Sequence, residues 1–239
     1  MRSYLDEPKV PKVERIQGLQ RVGQDAALIA AYKTGKTTLT ANLAKSLADG
    51  SAFLGEFAVQ APSGRVGFWN VEMDAEDFEL YLRQTGIENP DGVAIWNLRG
   101  YRLDIRADAH RNAAVDWLKA NDVSYWIVDP WARICAWSNV NENENSPVSE
   151  LLQRVREVAN DAGVAELLLV HHAGYVPGRA RGASVFSDNA DVLWQYSRDE
   201  DDMRYLHAYG RGIDDVRRFA LFGGEGHRGS WIVMPAQQR

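Results

Sequence analysis

The feature that most constrains this chain is an apolar run that leads directly into Thr-Gly-Lys-Thr, in the segment LIAAYKTGKTTLTANLAKSL at residues 28–47. The run predicts a buried strand at residues 26–31, and leucines at every fourth position predict a helix at residues 36–48. A strand, a short loop and a helix in this order aim consecutive backbone N–H groups at one point, where they can bind phosphate. The segment therefore predicts a phosphate-binding loop of the G-x-x-x-x-G-K-[ST] type.

Each position of this phosphate loop (residues 30–37) has an expected role. Gly35 lets the backbone approach the ligand, Lys36 reaches the β- and γ-phosphates of a nucleotide, and Thr37 offers a hydroxyl to Mg²⁺. Ala30 stands where the motif has its first glycine, and we expect it to be tolerated if its backbone keeps a negative φ. The remaining predicted nucleotide contacts are Lys33, Thr34 and Thr38. The alternative is a chance Gly-Lys-Thr at the start of a helix.

The order of the other segments indicates the fold class. Strands are predicted at residues 65–71, 92–98, 124–130 and 165–172, helices at 74–87, 107–122 and 148–163, and a polar loop at 139–147. Strands alternating with helices up to about residue 172 indicate a parallel sheet, and the later segments resemble hairpins. We therefore predict an α/β fold with a mostly parallel central sheet, flanking helices and antiparallel C-terminal strands.

The domain organisation follows from the distribution of polar and apolar segments. Residues 1–24 are polar and carry two prolines, so they are predicted to form an N-terminal arm. Residues 25–239 show no internal repeat and no convincing linker, so they are predicted to form a single domain.

Two carboxylates follow predicted apolar strands downstream of the phosphate loop. Asp129 ends the strand YWIVDP, where an acid can hold Mg²⁺ through water; the alternative is a turn former or helix cap. Glu72 ends the strand RVGFWNV, where it can polarise a water molecule that attacks the γ-phosphate. The alternative for Glu72 is a cap for the following helix, and Asp74 is the substitute candidate for the base or water-orienting group.

Composition narrows the cellular context. The apolar runs are far shorter than the roughly 20 residues that span a bilayer, so no membrane association is predicted. The single cysteine, Cys135, excludes an internal disulfide framework and favours a cytoplasmic protein. A net charge of −6 argues against a surface coated for nucleic acid, although it leaves room for a local basic channel.

Taken together, the segments AYKTGKTT, WNVEMD, WIVDPWARI and LLVHHAGYVPGRARGASVFSDNADVLW resemble the RecA-like ATPases of the DnaB and plasmid RepA helicase type. The resemblance covers roughly residues 20–215. It implies a RecA-like P-loop ATPase domain that uses ATP and Mg²⁺ and acts on single-stranded DNA. It also implies self-association, as a ring of about six copies or as a filament. Lys33, Glu72 and Asp129 match the family's loop lysine, glutamate and Walker B aspartate.

The resemblance assigns further roles after the last parallel strand. His171 and His172 match a pair that senses the γ-phosphate; without the resemblance, one histidine in the core and one in solvent would be the simpler interpretation. Tyr175, Arg179 and Arg181 fall in the loop that grips single-stranded DNA, since arginines neutralise phosphates and an aromatic ring stacks on a base. An ordinary surface loop is the alternative.

The resemblance also implies arginines near the nucleotide. Arg211 matches a trans-acting finger that reaches the ATP of a neighbouring subunit, with Arg204 and Arg217 as competitors and a surface salt bridge as the alternative. Arg83, on the helix after Glu72, is expected to stack on adenine.

The predicted function is a DNA-stimulated ATPase of the helicase type. A recombination or annealing protein with the same bare core, and a nucleotide-switched DNA-binding module with slow hydrolysis, are the alternatives. A third is a small-molecule or nucleotide kinase, in which GRARG at residues 178–182 would belong to a lid over the phosphates.

Overall fold

The strands and helices follow one another in nearly the predicted order. The computed structural model describes residues 12–172, 184–214, 216–223 and 231–233. The strands are β1 (Glu14–Ile16), β2 (Gln20–Arg21), β3 (Asp25–Ala30), β4 (Arg65–Asn70), β5 (Val93–Asn97), β6 (Val123–Asp129), β7 (Glu166–His172), β8 (Val192–Arg198), β9 (Arg204–Gly210), β10 (Val216–Gly223) and β11 (Trp231–Val233). The helices are α1 (Lys36–Asp49), α2 (Ala75–Gln84), α3 (Asp108–Ala120), α4 (Trp131–Trp137), α5 (Asn145–Ala162) and α6 (Val185–Asn189).

Strand pairing confirms the predicted fold class. Within the described residues, the main sheet has the order β11-β10-β9-β8-β3-β7-β6-β4-β5. The strands from β8 to β5 in this order run parallel, and β9, β10 and β11 extend the sheet with antiparallel pairs. The sheet is therefore parallel in its centre and antiparallel at its C-terminal end.

The central strands are apolar because helices cover both of their faces. On one face α1 and α2 pack through Leu39, Leu43 and Phe78. On the other face α3 and α5 contribute Leu118 and Leu151. No helix among the described residues is long and apolar enough to span a membrane.

The parallel register brings the carboxyl ends of four strands to one edge of the sheet. Ala30, at the end of β3, pairs with His172 at the end of β7. Asn70, at the end of β4, pairs with Asp129 at the end of β6. Because ligands of open α/β sheets bind outside this edge, the loops that follow these residues define the candidate site.

The region predicted as an N-terminal arm is in part an integral hairpin. Strands β1 and β2 pair with each other, and Ile16 and Leu19 are fully buried in the core. The Tyr125 hydroxyl donates a hydrogen bond of 2.7 Å to the Gln20 side-chain oxygen. The polar composition of this region does not show its burial, because some of its polar side chains form hydrogen bonds with buried residues from distant parts of the chain. Residues 1–11 lie outside the described residues.

Two helical segments differ from the sequence prediction. Helix α4 occupies residues for which no element was predicted, and α5 begins at Asn145, inside the predicted loop 139–147. Trp131 and Ile134 of α4 are buried in the same core cluster as α5. A seven-residue helix is too short to show a clear period, so tertiary packing decides it.

We expect the substitution Arg15→Met to destabilise the protein by about 3–5 kcal/mol, because it leaves the buried carboxylate of Glu166 without its cation. The Arg15 Nη2–Glu166 Oε1 distance is 3.0 Å, and both side chains are almost fully buried. Urea unfolding measures the effect. The matched control is Arg154→Met, which removes the exposed pair with Glu157 and should cost less than about 1 kcal/mol. Equal effects of the two substitutions would contradict the assignment of the β1–β2 hairpin to the folded core.

Candidate nucleotide-binding site

The phosphate loop connects β3 to α1 through a tight backbone path. Gly35 is the N-cap of α1 and has a φ of 93°, a conformation that favours glycine. The Thr34 hydroxyl donates a hydrogen bond of 2.9 Å to the Ala31 carbonyl and so closes the loop on itself. Ala30 lies in β3 and is not among the residues with positive φ. The loop therefore forms without glycine at its first position.

Lys36 begins α1 with its side chain folded against the phosphate loop. Its ammonium group donates a hydrogen bond of 2.9 Å to the Ala31 carbonyl. Burial lowers the pKa of Lys36, and the negative charges of Asp129 and Glu72 oppose that shift. The site thus holds a buried cation next to the positive end of a helix, which is a suitable place for a phosphate group.

Asp129 faces two hydroxyl groups of α1. The hydroxyls of Thr37 and Thr40 both donate to Asp129 Oδ2 at 3.5 Å. Burial raises the pKa of Asp129 to about 6, in spite of the nearby positive charge of Lys36. A threonine hydroxyl beside a carboxylate is the oxygen donor set that Mg²⁺ uses in phosphate-loop sites, so these residues fit that metal.

Glu72 lies two residues beyond the end of β4, and its side chain reaches the same site. Its Oε1 atom accepts a hydrogen bond of 2.9 Å from Arg133 Nε of α4. The cap of α2 is Asp74, whose carboxylate accepts a hydrogen bond from the Glu76 backbone N–H at 3.0 Å. Asp74, and not Glu72, therefore caps this helix.

A cavity of about 460 Å³ joins these groups at the carboxyl edge of the sheet. Lys36, Thr37, Glu72 and Asp129 all line it. The other predicted residues along its wall are Lys33, Gly35, Thr38 and His172. The structure therefore brings together residues that are far apart along the chain; Lys36 and Asp129 alone are separated by 93 positions.

Other predicted residues lie away from this cavity. His171 is buried, with its ring 4.6 Å from that of Phe186. Arg83 is exposed and pairs with Glu79 one turn earlier on α2, so a role on adenine stays a prediction. Tyr175, Arg179 and Arg181 lie outside the described residues.

Arg211 lies at the opposite edge of the sheet from the phosphate loop of its own chain. Its guanidinium pairs with Asp191 at 3.3 Å, and its carbonyl accepts a hydrogen bond from Gln24, which precedes β3. The competitor Arg204 instead lines the cavity, and the side chain of Arg217 lies outside the described part of the structure. An action of Arg211 on a neighbouring subunit stays a prediction.

The cavity also contains residues that the sequence analysis did not assign to it: Tyr32, Tyr81, Pro130 and Arg198. Tyr32 lies within the phosphate loop, so its position in the motif could have identified it. Arg198 ends β8, and β8 is the parallel neighbour of β3. No local sequence signal reveals that pairing, because the two strands are separated by most of the chain.

A phosphate loop on one strand, an acid on the strand two positions away and an edge of antiparallel strands together form the arrangement of a P-loop nucleotide-binding fold. The AAA domain family matches residues 3–177, and the chain belongs to this family.

A solved structure supports the fold independently. The chain is similar to a KaiC-like protein from the hyperthermophilic archaeon Pyrococcus horikoshii OT3, with 18% identity and a TM-score of 0.67. The similarity covers 95% of this chain and 100% of that one, which at this identity shows the fold alone. No curated protein matches the sequence.

We expect Asp129→Asn to stabilise the free protein at pH 8 by about 1–2 kcal/mol and to have little effect at pH 4. A carboxyl group whose folded pKa is about 6, above its ordinary value of 3.8, favours the fold while protonated and loses that contribution as pH rises through 6. Urea unfolding at several pH values measures the difference. Asp25, whose pKa is also raised to about 6, contributes equally to both proteins. A destabilised variant at pH 8 would show that attraction to Lys36 outweighs burial.

Proposed function

We propose that this chain hydrolyses ATP with Mg²⁺ and couples the reaction to single-stranded DNA, as helicase-type motors do. The observation that carries the proposal is the convergence of Lys36, Thr37, Glu72 and Asp129 on one cavity beside the phosphate loop. These residues supply a cation, a hydroxyl and two carboxylates, which are the groups that phosphoryl transfer to water requires.

Residues of α1 and β6 bind the nucleotide and its metal ion in this proposal. The N–H groups at the start of α1 and the Lys36 ammonium bind the phosphates of ATP. The Thr37 hydroxyl and the Asp129 carboxylate would hold Mg²⁺, which neutralises charge that develops on the phosphates. Binding of the ligand would also offset the cost of desolvating these two charges, because it would give the buried Lys36 and the partly buried Asp129 new partners of opposite charge.

Glu72 activates the water molecule that attacks the γ-phosphate in this proposal. Its carboxylate accepts a proton from the attacking water, and it must be free to approach the γ-phosphate. The ion pair with Arg133 is half-exposed on both sides, so it is weak enough to exchange for a water contact.

Coupling to DNA is supported by the order of residues in the sequence after β7. His172 lines the cavity, and the segment that carries Tyr175, Arg179 and Arg181 begins directly after it. Only a few residues separate His172 from the predicted DNA-binding segment, so hydrolysis beside His172 can change the conformation of that segment.

Self-association, as a ring of about six copies or a filament, is part of the proposal. Arg211 is the residue directly after β9, and it lies far from the phosphate loop of its own chain. An arginine in this place can act on ATP only in another copy. A recombination or annealing protein would use the same arrangement.

A nucleotide-switched binding module is the second candidate. The observation that favours it is the hydrogen bond from Arg133 to Glu72, which occupies the carboxylate of the candidate base. In this case ATP binding would control assembly or DNA affinity, and turnover would be slow.

We expect Glu72→Gln to reduce ATP turnover by a factor of about 10²–10⁴ and to leave ATP binding within about twofold, because only the proton acceptor is lost. Phosphate release and calorimetric titration with Mg²⁺-ATP measure the two quantities. Lys36→Ala should instead abolish binding. Substantial turnover in the Glu72→Gln variant would favour Asp74 as the base, and negligible turnover in the wild type would favour the switched module.

We also expect single-stranded DNA to raise ATP turnover at low salt, and the effect to weaken steeply as salt increases, since phosphate contacts release counterions. A double substitution of Arg179 and Arg181 to glutamine should abolish the stimulation. Turnover assays with and without an oligonucleotide test this directly. Turnover that does not respond to DNA in the wild type would count against the DNA-coupled function.

A further inference from the structure

Two arginines, one at the end of β8 and one at the start of β9, reach the nucleotide cavity. Arg198 ends β8, Arg204 begins β9, and both line the cavity beside the phosphate loop. The AAA domain family match ends at residue 177, so neither arginine lies within it. The residues beyond the family match therefore contribute to the wall of the site.

Arg204 is held in a fixed position below the phosphate loop. It is only 5% exposed, and its Nε donates a hydrogen bond of 3.2 Å to the Thr34 carbonyl. The guanidinium lies 4.8 Å from the ring centroid of Trp231. The Trp231 backbone N–H in turn donates to Asn42 Oδ1 of α1 at 3.0 Å. A planar guanidinium with these contacts connects the phosphate loop to the last strand of the sheet.

One carboxylate serves both arginines. Asp202 pairs with Arg198 and, at 3.4 Å, with Nη1 of Arg204, and its carbonyl accepts a hydrogen bond of 3.0 Å from the same nitrogen. Asp202 has a φ of 66°, a conformation that costs energy for a residue other than glycine. Two guanidiniums with one counter-ion leave a net positive charge at the cavity wall.

We propose that Arg204 is a positioning residue for the phosphate loop of its own chain, and that Arg198 and Arg204 together contribute positive charge in cis to the phosphates of a bound nucleoside triphosphate. The inference rests on the proposed nucleotide-binding function and deepens it. A highly charged anion beside the phosphate loop is the ligand that such a pair fits. Arg204 thereby acts within one subunit, in contrast to the trans-acting role for which its sequence position made it a competitor.

Calorimetric titration with Mg²⁺-ATP tests the proposal. We expect Arg204→Gln to bind about ten- to a hundredfold more weakly than the wild type, as for the loss of a hydrogen bond to a charged group. Arg204→Lys should recover part of the affinity, because it restores the charge but not the planar contact with Trp231. The control is Arg218→Gln on β10, since Arg218 is exposed and lies over the Tyr205 ring, 3.7 Å from its centroid. Wild-type affinity in a folded Arg204→Gln variant would overturn the proposal.

A second substitution covers the case in which Arg204→Gln fails to fold. The Arg198 side chain is 41% exposed, so Arg198→Gln should keep the fold. We expect it to weaken Mg²⁺-ATP binding severalfold and to weaken binding of adenosine much less, because adenosine has no phosphates. Equal effects on both ligands would overturn the charge contribution. A wild-type protein that binds neither ligand would refute the nucleotide-binding function itself, which separates the two failures.

Mixing two impaired variants, at an ATP concentration below saturation, distinguishes action within one chain from action between chains. Lys36→Ala and Arg204→Gln proteins are combined, and ATP turnover is compared with the sum of the separate preparations. If Arg204 acts in cis, no site in a mixed assembly has both residues and turnover stays at the sum. Recovery of turnover on mixing would show that Arg204 acts on a neighbouring subunit and would overturn the assignment.

Discussion

The parallel pairing of β3 with β7 on one side and β8 on the other is the constraint on which the site depends. Ala30, the last residue of β3, lies opposite His172 and Tyr196 in the two neighbours. The ends of all three strands therefore meet where the phosphate loop begins. Loss of this register would separate the loop from the histidine segment and from the C-terminal arginines at the same time.

Burial then determines the electrostatics at this edge. It lowers the pKa of Lys36 and raises the pKa of Asp129, so the charged form of each group is disfavoured in the free protein. The two groups partly compensate each other across the cavity. A nucleotide with its magnesium ion would supply opposite charges to both, so the same burial that costs stability in the free protein would favour such a ligand.

Strands β8, β9 and β11 add a second layer of support to the phosphate loop. A Cβ atom at Gly35 would lie 3.5 Å from the Tyr196 hydroxyl and 3.8 Å from Arg204 Nε, so β8 and β9 lie directly beneath the loop. Trp231 connects β11 to both Arg204 and α1. These contacts connect β8, β9 and β11 directly to the phosphate loop and to α1.

The sequence by itself determined the phosphate loop, the alternation of strands and helices, and the two acids at strand ends, Glu72 and Asp129. These features follow from local chemistry, since periodicity and motif spacing are properties of short segments. Only the tertiary structure decided the places of Arg204, Arg198 and the buried hairpin before β3. Their roles depend on which strands become neighbours, and pairing between segments more than 150 residues apart, such as Arg15 and Glu166, leaves no local pattern in the sequence.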